Sequence, residues 1–308
     1  MRIFVTGATG FIGKAVTAEL ITAGHDVLGL TRSDKGAAQL QAQGAEPLHG
    51  TLHDLEVLEA GAAQCDAVIH LAFIHEFDNY EHACATDRAA IEAMGSVLAA
   101  SGRESALVVS SGTMLAELGR VASEEDGCAS TGFLAMNRGP SESLTLRFGK
   151  GPLSASVVRL PPTVHGKGSS GFVGFMTSFA LQKGVSAYVG DGMNRWCAVH
   201  VNDAARVYRL AAEKGTGGSV FHAVAEEGVL VRDIASEIGR YLGVPVVGLS
   251  PEEAEGHFGW FQHPMMADNP ASSLRTRESL GWSPMTSRVV DDVPVVVDFI
   301  KRSQQLSQ

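Results

Sequence analysis

RIFVTGATGFIG, residues 2–13, is the stretch that decides the fold. RIFVT has the length and the β-branched content of a buried strand. It runs straight into glycines at 7, 10 and 13, and an apolar-periodic helical segment follows over 11–24. Gly7 permits a tight turn, Gly10 lets the backbone approach a pyrophosphate, and Gly13 lets the helix pack closely on the strand. The phosphates of a dinucleotide would then lie on the unpaired N–H groups at the positive end of the helix. Thr9, Phe11 and Ile12, beside the three glycines, join them as expected cofactor contacts. A lone glycine pattern is weak evidence, and its bland reading is a plain strand–helix turn. Its place at the first turn of a regular alternation makes it specific.

That alternation continues outward. DVLGLT (26–31), AEPLH (45–49), AVIHLA (67–72), ALVVSS (106–111) and SASVVRL (154–160) read as near-continuously apolar strands, the mark of a sheet covered on both faces. Segments 34–43, 54–63, 80–101 and 140–149 have helical length and periodicity. The sequence therefore predicts an α/β fold with a doubly wound parallel sheet. Beyond residue 160 the rhythm loosens. PPTVHGKGSSG (161–171) reads as a loop, 172–183, 201–215, 231–242 and 289–301 as helices, SAYVG (186–190) as a short strand, 250–262 as a loop and short helix, and SVFHAVA (219–225) as a return to the sheet. Residues 1–163 and 199–227 are expected to form a dinucleotide-binding domain, and 164–198 with 228–308 a smaller, discontinuous substrate-binding cap.

Composition narrows the function. The chain has 308 residues, 45% hydrophobic and 19% charged, with a formal net charge of -10. No Lys/Arg run exceeds two residues, which argues against nucleic acid or an anionic membrane as the main partner. The cysteines, Cys65, Cys84, Cys128 and Cys197, are scattered and lack metal-ligand spacing, so reduced thiols in a cytoplasmic protein are expected. The N-terminal apolar residues belong to the strand and glycine turn, not to a secretory signal. No apolar run reaches membrane-spanning length.

The end of the second strand reports on the adenosine ribose. An acid there would accept from the two hydroxyls of NAD, but the sequence is Leu30-Thr31-Arg32-Ser33-Asp34-Lys35. Arg32 and Lys35 can pair with a 2′-phosphate. NADP is expected, with NAD as the alternative.

Together these motifs resemble the extended short-chain dehydrogenase/reductase family, of the NAD-dependent epimerase/dehydratase type. TGATGFIG matches its fingerprint, and HLA (70–72) its fourth-strand signature, which implies that Leu71 and Ala72 line the cofactor. Asp54 and Leu55 lie where the family has an Asp near the adenine. VVSSGT (108–113) matches the fifth-strand serine motif, RLPPTVHG (159–166) with Pro161 the later turn, and GDG (190–192), VHVNDAA (199–205) and LGW-x-P (280–284) the remaining landmarks. The resemblance covers nearly the whole chain and implies a homodimer through helices 80–101 and 140–149. His70, Asp191 and Asp203 read as packing or turn residues, and Trp282 with Pro284 as a tail anchor.

One departure stands out. The family moves a proton with a Tyr whose pKa is lowered by a Lys one helical turn later. The chain's tyrosines are Tyr80, Tyr188, Tyr208 and Tyr241, and Cys84, Gly192, Ala212 and Pro245 stand four places on. Aligning Arg138 and Glu142 with the family's K-x-x-A-E puts Leu134 at the Tyr position. Gly139-Pro140 predicts a helix that starts only near 137–140, which leaves 130–138 as loop with Leu134 and Met136 toward the pocket. The family's helix-four Asn appears as Asp87, read as a solvated helix residue.

The residues offered for chemistry are Ser111, with Ser110 and Thr113 nearby, and Arg138, which the resemblance places at the cofactor ribose. His75, Tyr80 and Tyr188 are alternative proton donors. Trp196 replaces the family's diphosphate-binding Arg, and Arg195 is one place off. With HFGWF (257–261), Phe172 and Phe175, this suggests an apolar pocket, although aromatics at helical spacing are more often core. The reading is an NADP-dependent reductase of a small, fairly apolar carbonyl-type substrate by an atypical proton route. The alternatives are a catalytically silent NAD(P)-binding sensor and a nucleotide-sugar epimerase or dehydratase.

Overall fold

The computed structural model describes residues 1–76, 79–150, 153–169 and 171–305. In chain order the first part comprises β1 (Arg2–Thr6), α1 (Phe11–Thr22), β2 (Asp26–Thr31), α2 (Asp34–Gln43), β3 (Glu46–His49), α3 (Leu55–Ala63), β4 (Ala67–His70), α4 (Tyr80–Ala100), β5 (Ala106–Gly112), α5 (Phe133–Phe148) and β6 (Ser154–Leu160). There follow β7 (Thr163–His165), α6 (Phe172–Lys183), β8 (Ser186–Val189), β9 (Arg195–His200), α7 (Val201–Lys214), β10 (Val220–His222), β11 (Glu226–Leu230), α8 (Val231–Leu242), β12 (Val246–Leu249), α9 (Pro251–Phe258), α10 (Gln262–Met266), α11 (Leu274–Leu280) and α12 (Val289–Gln305).

Seven parallel strands form the main sheet in the order β10-β6-β5-β4-β1-β2-β3. The order reverses between β1 and β4, where the carboxyl ends open a crevice. Strand alternation divides the core. Ile3 and Val5 face a layer with Val16, Leu20 and Tyr208 of α1 and α7, whereas Phe4 and Val68 face Leu58, Ile91 and Leu144 of α3, α4 and α5. A separate core joins α6, α8 and α12 through Met176, Ile234, Val293 and Val297, with Trp196, Phe258 and Phe261. Trp282 is buried in the α1/α7 layer, and its indole N–H donates to the Asp203 carbonyl at 3.1 Å. The LGW-x-P segment is the tail anchor that the sequence suggested.

Two sequence expectations need correction. The helix expected near 137–140 begins at Phe133 and carries Pro140 in its interior. Proline normally drives the preceding residue out of the α region through a clash with its Cβ and N–H. That residue is Gly139, which has no Cβ, and a methyl there would stand 3.3 Å from Cys128 Cβ. The small residue allows the proline to be carried through. The loop read at 161–171 contains strand β7, paired with β9; residue 170 lies outside the described residues. Strands β9, β11 and β12 were not anticipated, because their partners lie in small satellite sheets distant in sequence. Among the described residues no helix is long and apolar enough to cross a membrane.

Candidate active site

The glycine turn has the shape a bound pyrophosphate needs. Gly7 holds φ +68°, and a Cβ there would lie 2.8 Å from the Ala72 amide nitrogen. At Gly13 a Cβ would fall 2.0 Å from the Gly7 carbonyl oxygen. Gly10 caps α1 with extended backbone and no side-chain cap, so the first turn of the helix is open to an anion. The residues present therefore fit a dinucleotide. Phe11 lies beneath the loop after β7, since a Cβ on Gly168 would stand 3.6 Å from its ring. Ile12 packs partly into the core, leaving its backbone as the contact.

Thr9 ties this turn to the end of β2. A Cβ on Gly36, in the first turn of α2, would lie 3.3 Å from the Thr9 methyl. Ser33 caps α2 by accepting from the Gly36 N–H at 3.2 Å. Arg32 and Lys35 are exposed, and neither has an ion pair with any described residue. Asp34 is turned toward His49 at 3.9 Å. One carboxylate oxygen of Asp54 accepts from both the N–H and the O–H of Thr51, each at 2.8 Å. These bonds hold its pKa below the usual carboxylate value. Leu55 is exposed beside it.

Leu71 and Ala72 lie across the crevice from this edge. Their amides turn inward and donate to Thr6 Oγ1 at 3.2 Å each, so only their carbonyls and side chains remain for a ligand. Thr6 Oγ1 is 2.7 Å from His70 Nδ1, and His70 Nε2 is 3.2 Å from Asp87 Oδ1. Asp87 also pairs with Arg138. Asp87 is fully buried, which corrects the expectation of a solvated helix residue. Burial alone would push its carboxyl up, but Arg138 and then His70 outweigh that and hold it far below the usual range. Arg138 donates to the Ser110 carbonyl at 3.1 Å and lies 4.3 Å above the Phe73 ring. His75 and Tyr80 flank Phe73 at ring separations of 5.3 and 5.7 Å. Burial pushes the Tyr80 hydroxyl up to about 12 and the His75 imidazole down.

The hydroxyls on β5 are differently placed. Ser111 donates to Glu142 Oε2 at 2.7 Å, and Glu142 is paired with the fully buried Arg159. Thr113 is fully buried and donates to Asn269 Oδ1 at 2.7 Å, so it braces the 269 segment and cannot hold a substrate or its water. Pro161 is buried just past β6.

Tyr208 is also buried, with its hydroxyl 2.8 Å from Ser110 Oγ, while Tyr241 is exposed on α8 and donates to Asp298. Leu134 is half-buried, and Phe133 and Met136 are 64% and 66% exposed. Met136 does not enter the strand-end crevice. It lines a depression of about 720 Å³ between α4, α5 and residues 128–130. The aromatic residues expected around the pocket divide similarly. Trp196, Phe258 and Phe261 are core, with Phe172 packed against them, and only Trp260 is well exposed. Arg195 is held by Asp268 through both guanidinium and backbone N–H groups at 2.7–3.0 Å.

The model of the NAD dependent epimerase/dehydratase family matches residues 3–224. The chain belongs to this family. An uncharacterized protein of Schizosaccharomyces pombe (strain 972) is 47% identical over 294 residues, 95% of this chain and 98% of that protein. The 4-hydroxy-2-methyl-3-oxo-4-farnesyl-3,4-dihydroquinoline-1-oxide ketoreductase of Stigmatella aurantiaca is 32% identical over 234 residues, 72% of this chain and 67% of that enzyme. Among solved structures, the dTDP-glucose 4,6-dehydratase DesIV of Streptomyces venezuelae, with NAD bound, superposes at a TM-score of 0.79 with 18% identity over 99% of this chain and 98% of that one. The Thermotoga maritima UDP-glucose 4-epimerase does so at 0.77 with 21% identity, over 99% and 100%. At such identity these structures speak to the epimerase/dehydratase fold alone. The short-chain dehydrogenase/reductase architecture that the motifs resembled is thus the one observed.

Proposed function

We propose that this family member is an NADP-dependent reductase of a small, fairly apolar carbonyl compound, working without a tyrosine–lysine pair. The observation that carries the reading is Arg32, a cation at the end of β2 with no ion pair among the described residues, four positions before Gly36, which in the first turn of α2 meets Thr9 of the glycine turn. A 2′-phosphate is the anion that suits such a cation. The likeness to a ketoreductase supports the direction of the reaction. Arg195 argues against a nucleotide sugar: Asp268 neutralises it, so it offers no free charge for a diphosphate. Near that pair, Leu118, Met193 and Met266 are exposed, in keeping with an apolar substrate.

Bound on the glycine turn, NADPH would supply the hydride that reduces the carbonyl carbon. The proton must then reach the carbonyl oxygen. Ser111 gives its own proton to Glu142, and its remaining lone pair can hold a water whose proton points at that oxygen. The hydroxide left behind takes a proton from bulk solvent, and the water is restored. Tyr80, whose hydroxyl burial pushes up to about 12, is the alternative donor.

Arg32→Ala is expected to weaken NADPH binding about tenfold or more while leaving NADH binding unchanged, since a charge-assisted pair to phosphate is worth at least ~1.4 kcal/mol. Fluorescence titration with both cofactors reads this, and equal NADPH affinity removes the NADP assignment. A screen of aldehydes, ketones, imines and activated alkenes for NADPH oxidation tests the reductase. Tight binding with no turnover on any class would point to a sensor instead. Turnover in which Leu134→Tyr is no faster than wild type supports the water route.

A further inference from the structure

We infer that His70 is a positioning residue, joining the floor of the glycine turn to Arg138 through one buried line of hydrogen bonds that ends in an ion pair. The inference rests on a dinucleotide lying on the glycine turn, and not on the reduction proposed above.

Thr6 is the last residue of β1, and sheet register sets it directly beside His70 on β4. Its Oγ1 accepts from the Ala72 amide and from the Leu71 amide, which it shares with the Thr6 carbonyl, so both of its lone pairs face donors. The Thr6 proton therefore goes to His70 Nδ1. That fixes the imidazole as the tautomer with its hydrogen on Nε2, and this hydrogen is donated to Asp87 Oδ1. The other Asp87 oxygen takes Arg138. Both hydrogen-bonded links thus have one defined donor and one defined acceptor.

Both ends of the line are at the ligand crevice. The Ala72 amide is the atom that a Cβ on Gly7 would strike, so it forms the floor of the turn. At the far end, Arg138 donates to the Ser110 carbonyl, forms an ion pair with Asp87, and has further N–H groups in its five-donor fork to offer a ligand. It alone among the four has appreciable exposed surface; Thr6, His70 and Asp87 are buried. His70 has both nitrogens specified by different partners, which sets its tautomer and its ring orientation together. Water is excluded, so a shift at one end is passed to the other with little loss.

The test is a double-mutant cycle on NADPH affinity with His70→Leu and Arg138→Met. Each single change is expected to weaken binding about tenfold, and the pair about as much as either alone, because both cut the same line. A roughly hundredfold loss in the double variant, or unchanged affinity in His70→Leu, overturns the inference while leaving cofactor binding intact. Failure of the wild-type protein to bind any nicotinamide dinucleotide would instead remove the cofactor assignment beneath it. Nitrogen NMR of the wild-type protein provides a readout that no folding defect can confuse. The His70 ring should show hydrogen on Nε2, and its signals should move when NADPH is added. Hydrogen on Nδ1, or signals indifferent to NADPH, refutes the proposal.

Discussion

Replacing Gly13 with alanine is expected to abolish dinucleotide binding and to destabilise the fold at the same time. The added methyl would sit 2.0 Å from the Gly7 carbonyl oxygen and 2.8 Å from Ala8 Cα. All of these neighbours are backbone, so no flexible side chain can move aside. Gly7 cannot yield either, because it holds a left-handed φ of +68° with Ala72 closing on its other side. The remaining escape is to lever α1 away from β1, and that misplaces the helix N-terminus on which phosphates would rest. We expect NADPH affinity to fall at least about a hundredfold, near 2.7 kcal/mol. Urea unfolding should show a loss at the upper end of the ~1–3 kcal/mol typical of overpacking. Gly24→Ala is the control. It has φ +85° but nothing within 4 Å of its would-be Cβ. It should cost about 1 kcal/mol from backbone strain and leave cofactor affinity alone. Wild-type NADPH affinity in Gly13→Ala would defeat this account of the glycine turn.

The second large effect is expected at Glu142. Its carboxylate is buried against Arg159, whose side chain has 0% exposure, and it also takes the Ser111 proton. Glu142→Ala leaves Arg159 with the Asp126 carbonyl at 2.7 Å and His222 as neutral company. An uncompensated buried charge of this kind costs about 3–5 kcal/mol, a large share of the ~5–15 kcal/mol total of an ordinary domain. Denaturant melts should show that loss. The double change Glu142→Leu with Arg159→Met should recover most of it, since both charges leave together. If Glu142→Ala unfolds like wild type, the pair is not the strut we describe. Cys128 gives a local reporter. Its thiol is pushed up to about 11, first by burial and then by Glu142's charge. Glu142→Gln should therefore speed its alkylation at a fixed alkaline pH.

The parts legible in sequence were those whose cause is local. The glycine turn, the apolar strands and the LGW-x-P anchor each follow from residues adjacent in the chain, and each is where expected. What escaped depends on partners far away. Asp87 reads as a polar helix residue until sheet and helix bring His70 and Arg138 to it. Arg195 reads only as a cation one place off the family's diphosphate-binding position until Asp268, 73 residues on, closes over it. Helix α5 was started too late because Pro140 was weighed without the missing Cβ of Gly139. The aromatics of HFGWF were open to both a pocket and a core reading because spacing alone cannot tell a core face from a lining face; Phe258 and Phe261 are core.

Ser110 carries a consequence of its own. Its side chain meets the Tyr208 hydroxyl of α7, while its carbonyl takes Arg138 of α5. Those helices pack on opposite faces of the sheet. A single strand residue is thus a rivet through the sheet, and it clamps the layer behind the site to the cation inside it. The side of the protein away from the crevice is therefore not neutral ground. Changes on α7, remote from any ligand and invisible to a survey of pocket residues, have a two-bond path to the guanidinium and to the fit of whatever binds there.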